Sequence, residues 1–282
     1  MTLVIAEIGV NHCGDIELAH KLIDAAYMAG ADAVKFQTFT PELLEPPGER
    51  RDMLKALQLG RIAHNALKRY CGDRIEFMST PFDVASLRFL ATKLNVKRLK
   101  ISSGHVRDRA LLEAARHSNL PIILSTGMAD TNDIADAIDA LGFARPWDRE
   151  QPMMTPGLAK RGLTILHCTS AYPTPIEDVN LAVLPNMAAK FGCPVGLSDH
   201  SLSTVIPAAA VALGASVIEK HITLNRSMKG PDHAASLEPH DFKRMVIGIR
   251  EVEKAMGDGI KRPMPSEAKT IEIVRERRAW AA

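Results

Sequence analysis

Eight short apolar runs, each followed by a longer stretch of helical character, constrain the fold of this chain more than any other feature. The runs are Leu3–Val10, Ala33–Phe39, Ile75–Phe82, Arg98–Ser103, Pro121–Thr126, Leu163–Thr169, Pro194–Ser198 and Ser216–Thr223. Each is strand length and rich in Val, Ile or Leu, with Gly and Pro nearby. Near-continuous apolar runs suit parallel strands buried on both faces. Between them, Asp15 is placed to cap a helix whose apolar face is Ala19, Leu22, Ile23 and Ala26, closing at Gly30. Asp83 caps another, with Val84, Leu87 and Leu94 on one side. The last runs from Pro239 to Met256, with Phe242, Met245, Val246, Ile249, Val252 and Met256 at helical spacing. Eight such units in about 250 residues are those of an α/β protein of the TIM (β/α)8 barrel type. A doubly wound open sheet is the alternative, but it needs fewer strands, and no Gly-x-Gly-x-x-Gly follows the first run. The expected division is a barrel over residues 1–260 and a C-terminal tail, short helix or linker remnant over 261–282. The stretch Gly142–Gly162, rich in Pro, Met and Arg, falls between a helix and the next strand, hence on the non-catalytic face.

Charge and cysteine usage remove several function classes. Lys plus Arg is 35 against 33 for Asp plus Glu, a net charge of +2. That balance gives no support to nucleic-acid binding or to a polybasic membrane surface. None of the four cysteines forms a Cys-x-x-Cys pair, so neither a disulfide framework nor structural zinc is expected. No apolar run reaches the roughly 18 residues of a membrane span. No basic segment precedes the first run, and Glu7 interrupts it, unlike a signal peptide. The expectation is a cytoplasmic protein with reduced thiols.

In a barrel the site lies at the C-terminal strand ends, and here those ends are unusually polar. They carry Glu7, Asn11 and His12; Lys35 and Gln37; Ser79 and Thr80; Lys100, Ser102, Ser103 and His105; Ser125 and Thr126; His167 and Thr169, with Tyr172 beyond; Ser198, Asp199 and His200; and Glu219 and His221. Strand alternation puts Lys35 with Gln37, Lys100 with Ser102, and Glu219 with His221 on shared faces. Burying so many polar groups without a ligand is costly, and such conflicts concentrate at functional sites. A single strand-end lysine often just snorkels to water; two converging with hydroxyls favour an anion such as phosphate or carboxylate. A lone histidine is more commonly a hydrogen-bonded core residue. His200 and His221, on neighbouring strands at matching depth, could instead share a divalent metal, with Asp199 and Glu219 beside them as partners that fix the rings. His167 and Cys168 read as core packing. Cys13 has no visible partner base, and His20, His64 and His117 fall on helical stretches as solvated residues. Lys100 and Lys220 keep a Schiff-base aldolase open, although that reading leaves the histidine pair unexplained.

Taken together, these strand ends resemble the sialic acid synthase (N-acetylneuraminate synthase) family. The matching motifs are Ala-Glu-Ile-Gly-Val-Asn-His at 6–12, Gly-Ala-Asp-Ala-Val-Lys-Phe-Gln-Thr at 30–38, Ser-Thr-Pro-Phe at 79–82 and Lys-Ile-Ser-Ser-Gly at 100–104. They continue with Ile-Leu-Ser-Thr-Gly-Met at 123–128, His-Cys-Thr-Ser-Ala-Tyr-Pro-Thr-Pro at 167–175, Gly-Leu-Ser-Asp-His at 196–200, Ile-Glu-Lys-His at 218–221 and Gly-Pro-Asp-His-Ala-Ala-Ser-Leu-Glu-Pro at 230–239. The resemblance implies a TIM barrel that condenses phosphoenolpyruvate with an aldehyde sugar, releasing phosphate by C–O cleavage. It implies a divalent metal on His200 and His221, manganese first, with magnesium or cobalt as alternatives. It places phosphoenolpyruvate on Lys35, Thr80, Lys100, Ser103 and Ser198. It puts His105, Tyr172 and Asp232 on the acceptor side, and Glu7 and Glu219 near the reacting centre. A homodimer is the implied assembly, with sialic-acid-like nonulosonic acids as the product class. The alternatives are a different acceptor, such as another sugar or a nucleoside aldehyde, and an inert phosphoenolpyruvate-binding paralogue.

Four departures from the family's pattern fall on the acceptor side. His105 stands where the family has Glu, and Ser170 where it often has Asn. The loop Pro41–Arg51 is short and lacks the family's sugar-binding Asn, and the sequence stops at Arg277-Arg278-Ala-Trp-Ala-Ala, before the family's small C-terminal antifreeze-like domain. An imidazole both donates and accepts, and near neutral pH it can be cationic. The expected acceptor is therefore one with a negative group or fewer hydroxyls than N-acetylmannosamine.

Overall fold

The structure is a computed structural model that describes residues 1–143 and 162–280. The expectation for 142–162 thus falls almost wholly outside the described residues. Each of the eight apolar runs contains a strand: β1 Leu3–Gly9, β2 Ala33–Thr38, β3 Glu76–Pro81, β4 Leu99–Ile101, β5 Ile122–Ser125, β6 Leu163–Cys168, β7 Val195–Asp199 and β8 Val217–His221. All the ladders are parallel, in the order β3-β2-β1-β8-β7-β6-β5-β4. The last strand returns to pair with the first, as a ring requires and a doubly wound sheet does not. β3 and β4 lie alongside each other and complete the ring. Among the described residues no ladder joins these two; β4 has only three residues with which to form one.

Strand alternation sorts the side chains into two sets. Outward residues such as Val4, Ala6, Ile8, Val34, Phe36 and Ile218 pack under the helices in one continuous core. Inward residues stack in layers. Ile5, Ala33, Met78, Ile123, Leu166 and Val217 plug the barrel's N-terminal end. Two residues further along, the same inward face becomes polar or charged, with Glu7, Lys35, Thr80, Ser125 and Glu219. Gly196 belongs to the plug, and a Cβ there would lie 2.4 Å from the Val217 carbonyl oxygen and 2.6 Å from Leu166 Cδ2.

The helices begin where the sequence places their caps. Asp15 accepts from the Glu17 and Leu18 amides at the head of Ile16–Met28, whose buried face is Ala19, Leu22, Ile23 and Ala26. Asp83 caps Val84–Thr92 through the Ser86 amide and also accepts from the Thr40 amide at 3.0 Å, tying the β2 loop to β3. The helix Pro239–Ala255 buries Phe242, Met245, Val246 and Ile249 as the spacing predicts, but Val252 is half-buried and Met256 exposed.

Two expectations are corrected here. The connection after β2 is not a short loop: it holds the helices Pro41–Leu44 and Glu49–Leu57 before Arg61–Cys71. His64 is fully buried, not solvated. It shares a helix face with buried Leu67 and Cys71. Its Nδ1 lies 3.1 Å from the Gly60 carbonyl, and its Nε2 lies 2.9 Å from Thr38 Oγ1, which in turn lies 2.7 Å from Ser79 Oγ. The relay joins the ends of β2 and β3. Residues 268–280 form a helix that is exposed over nearly all its length.

Candidate active site

Above the apolar plug, β1, β2, β4 and β8 send Glu7, Lys35, Lys100 and Glu219 into the barrel, each no more than 5% exposed. Lys35 Nζ lies 2.6 Å from Glu7 Oε2 and 3.6 Å from Glu219 Oε2, and donates to Thr80 Oγ1 at 2.8 Å. Lys100 Nζ is held more loosely, 3.4 Å from Glu219 Oε1 and 3.4 Å from the Ile101 carbonyl. Ser198 Oγ donates to Glu219 Oε1 at 3.1 Å. Alternation along the strands was sufficient to bring these groups together, and neither lysine snorkels to water.

The two carboxyls of this layer differ in acidity. Burial pushes Glu7 up to about 7, against the opposing pull of Lys35. Burial also acts upward on Glu219, but Lys100 and then Lys35 outweigh it and hold the carboxyl down at about 2. Near neutral pH Glu7 therefore keeps a proton much of the time while Glu219 is ionised. Carboxyls driven apart in this way mark acid and base roles. Burial likewise lowers Lys100, whereas Lys35, also opposed by burial, is carried above its ordinary value by Glu219 and Glu7.

The layer opens into a cleft of about 370 Å³, lined by these residues and by Gln37, Ser102, Ser103, His105, Tyr172, His200 and His221 among others. Ser103 Oγ accepts from the Gly127 amide at 2.9 Å. Two hydroxyls of this lining, Ser125 Oγ and Ser170 Oγ, are buried without a hydrogen-bond partner. Neither stood among the expected ligand-binding residues. The available signal for Ser125 was its place two residues beyond inward-facing Ile123. A larger cleft, about 700 Å³, opens at the other end of the barrel around Met1 and Thr2. Two of its charged groups, Arg250 and Glu253, already pair with each other at 3.2 Å. The smaller cleft, with unpaired hydroxyls and convergent charges, is the candidate site.

His200 and His221 meet at the mouth with ring centroids 5.6 Å apart. His200 Nδ1 lies 2.9 Å from the Thr169 carbonyl, so Nε2 carries the lone pair in the neutral ring; burial acts against the cation, but Cys168 and the Thr169 carbonyl outweigh it and raise the pKa above the ordinary imidazole value. His221 Nδ1 is buried without a hydrogen-bond partner, 3.8 Å from Asp232 Oδ2. Burial lowers His221 well below the usual imidazole range, so the ring is neutral, as a metal ligand must be. The pair fits a divalent cation that takes two protein nitrogens and draws its other ligands from water or substrate. Among the described residues no three His, Cys, Asp or Glu side chains converge on a metal-sized point.

On the rim expected to face an acceptor, the Tyr172 ring lies 4.1 Å from that of His200, tilted by 34°, and Tyr172 is half exposed. His105 Nδ1 lies 2.8 Å from Ser102 Oγ, and its ring stands edge-on to Phe82 at 5.2 Å. Burial lowers the His105 pKa, with Asp108 opposing, so the ring is neutral at neutral pH. The charge-based reason for an anionic acceptor is thereby removed. Asp232 lies beside the cleft, against His221 and Gly9. Two further readings are corrected. Cys13 does have an imidazole partner, His233 Nε2 at 3.3 Å, which in turn contacts Thr223 Oγ1 through Nδ1 at 2.7 Å. Lys220 is turned out of the cleft and paired with Asp199, so it is no Schiff-base lysine. His167, whose Nε2 lies 2.7 Å from the Val179 carbonyl, is a hydrogen-bonded wall residue as expected.

Fold and site together define a class: a (β/α)8 barrel with a charge-dense, imidazole-bearing cleft at its C-terminal strand ends. Comparison with known proteins narrows it. Residues 22–261 match the NeuB family, and the chain belongs to that family. It is 42% identical to the N,N'-diacetyllegionaminic acid synthase of Campylobacter jejuni, covering 98% of this chain and 83% of the relative. It is 41% identical to the synthase of the same name from Legionella pneumophila, over 96% and 78%. Among solved structures, the N-acetylneuraminic acid (sialic acid) synthetase of Leptospira borgpetersenii in complex with citrate superposes with a TM-score of 0.84. It is 35% identical and covers 98% of this chain and 92% of that one. No described helix is long and apolar enough to cross a membrane.

Proposed function

We propose that the protein is a phosphoenolpyruvate-dependent synthase that joins the three-carbon unit to an aldehyde sugar, giving a nonulosonic acid and inorganic phosphate. The observation that carries this reading is the Lys35–Glu7–Glu219–Lys100 layer. It holds one loosely tied ammonium, Lys100, in the same cleft as the buried Ser125 hydroxyl, which no group among the described residues satisfies. Lys100 and Lys35, with Thr80, Ser103 and Ser198, would offset the charge of the phosphate and carboxylate. The family and the names of the relatives support the product class.

In the reaction, C3 of phosphoenolpyruvate forms the new C–C bond with the aldehyde carbon, whose oxygen takes up a proton. Water adds to C2, and phosphate departs with cleavage of the C2–O bond. Glu7, still protonated near neutrality, is the donor to the aldehyde oxygen. Glu219, held ionised by the two lysines, takes the proton of the adding water. A divalent cation on His200 and His221, with manganese preferred and magnesium or cobalt as alternatives, would supply Lewis-acid polarisation when bound. Tyr172, His105 and Asp232 would hold the acceptor. With His105 neutral and edge-on to Phe82, the reading favours an uncharged aldose with fewer hydroxyls than N-acetylmannosamine over a sugar phosphate.

The test is phosphate release from phosphoenolpyruvate with manganese across N-acetylmannosamine, its 6-phosphate and a panel of deoxy and acylamino aldoses. Acceptor-dependent release with an uncharged aldose is expected, lost in His200→Ala. Release that no aldehyde stimulates, or full activity of His200→Ala in chelator, would contradict the proposal.

A further inference from the structure

Lys220 is one of the largest side chains in the protein with no solvent exposure. It sits in β8 between Glu219 and His221, both of which line the cleft, so its own side chain leaves the opposite side of the strand. There Nζ pairs with Asp199 Oδ2 at 2.6 Å, donates to the Ser201 carbonyl and reaches the Ser203 carbonyl at 3.2 Å. Asp199 is its rung partner on β7, and Asp199 Oδ1 accepts from the Ser201 amide at 2.9 Å. One ammonium thus pins three points of the segment 199–203.

Stability alone does not explain the arrangement, because a buried ion pair is seldom more stabilising than apolar residues of the same volume. Its location supplies another reason. Ser198 with Glu219 and Asp199 with Lys220 are the last two rungs of the β7–β8 ladder. His200 lies one residue past that ladder, so the ladder itself does not fix it against His221. The Lys220 contacts to Asp199, Ser201 and Ser203 bracket His200 in the chain.

We propose that Lys220 and Asp199 are positioning residues that set the spacing of His200 and His221 from behind the barrel wall, and so set the affinity of the pair for a divalent cation. The inference rests on the metal reading given above. Partners behind a metal ligand commonly change metal affinity by about 10–100-fold when removed.

The test is titration of the metal-free protein with Mn2+ alone, following free Mn2+ by electron paramagnetic resonance, with circular dichroism and the thermal midpoint recorded in parallel. Binding of phosphoenolpyruvate without metal is the control, since Lys35 and Lys100 lie on other strands and Ser198 faces the cleft from the opposite side of β7 to Asp199. The variants are His200→Ala, Lys220→Met and the double Asp199→Asn/Lys220→Met, which leaves no buried charge unpaired. Lys220→Met should weaken Mn2+ binding by about ten-fold or more and leave phosphoenolpyruvate binding unchanged. If Lys220→Met does not fold, the double variant carries the comparison. The double variant should recover the thermal midpoint but not the Mn2+ affinity. Recovery of both would show a purely structural pair and overturn the proposal, as would wild-type Mn2+ affinity in Lys220→Met. If the wild type binds no Mn2+, or His200→Ala binds it equally well, the metal reading fails and the proposal falls with it.

Discussion

The two lysines of the charged layer should not be equivalent, and the difference can be worked from their contacts. An ammonium has three donors. Two of those of Lys35 are committed, to Glu7 at 2.6 Å and Thr80 at 2.8 Å, with Glu219 more distant at 3.6 Å. Among the described residues Lys100 has two polar contacts, both at 3.4 Å, which a bound anion can replace. Lys100→Met should therefore act mainly on phosphoenolpyruvate. Loss of one charge-assisted contact, about 1.5–3 kcal/mol, weakens its use by about one to two decades. Lys35→Met should act mainly on stability. Stripping one partner from a buried ion pair costs about 3–5 kcal/mol when the other must stay charged. Glu7 can avoid that by keeping its proton, since it already titrates at about 7. Without Lys35 its folded-state value rises further above the unfolded one. The folded protein then binds more protons than the unfolded chain, and stability falls as pH rises through that window. The loss in Lys35→Met should be larger at pH 8 than at pH 6. Urea unfolding at both pH values, with calorimetric binding of phosphoenolpyruvate, reads the two effects separately. Wild-type phosphoenolpyruvate affinity in Lys100→Met, or a larger affinity loss in Lys35→Met with unchanged unfolding, would refute the reasoning.

Three more outcomes are expected. Gly196→Ala forces a Cβ against the Val217 carbonyl and Leu166 in the barrel plug, and should destabilise by about 1–3 kcal/mol in urea unfolding with the near-ultraviolet spectrum altered. Burial lowers His12 from 6.5 to about 4, and its Nδ1 accepts from the Gly14 amide at 3.0 Å; its contribution is present above pH 6.5 and is lost as pH falls toward 4. His12→Asn should flatten the loss of stability between those pH values, by up to about 3 kcal/mol, and an unchanged slope would count against it. His105→Glu should move the relative kcat/KM among aldoses by at least about ten-fold, within the reach of one buried polar contact, with the KM for phosphoenolpyruvate unchanged; equal preference in both proteins would place His105 outside the acceptor site.

The barrel was legible because its strands are buried on both faces, so each reads as an apolar run without any partner in view. The runs overshoot at their ends: Arg98–Ser103 holds a strand of three residues, because Ser102 and Ser103 already belong to the turn above β4. The charged layer was legible for the same reason that a strand is, since a period of two assigns Lys35 and Glu219 to the interior once Ala33 and Val217 are placed there. That period also turns Lys220 outward, so Lys220 could have been set aside as a Schiff-base lysine from sequence. His64 could have been placed as well, since it falls on the helix face of Leu67 and Cys71. Contacts between distant loops had no such signal. Cys13 and His233 are 220 residues apart, and nothing in either segment announces the other. The neutrality of His105 depends on burial beneath Phe82, a property of the closed ring alone.

The central claim is tested most directly with phosphoenolpyruvate carrying 18O in the bridging C2–O–P position. The label is followed by mass spectrometry in phosphate and product, with manganese and the best uncharged aldose from the panel. Release of the label with phosphate is expected, together with an acid whose mass is that of the acceptor plus pyruvate. Retention of the label in the organic product, or phosphate release that does not depend on the acceptor, would contradict the claim.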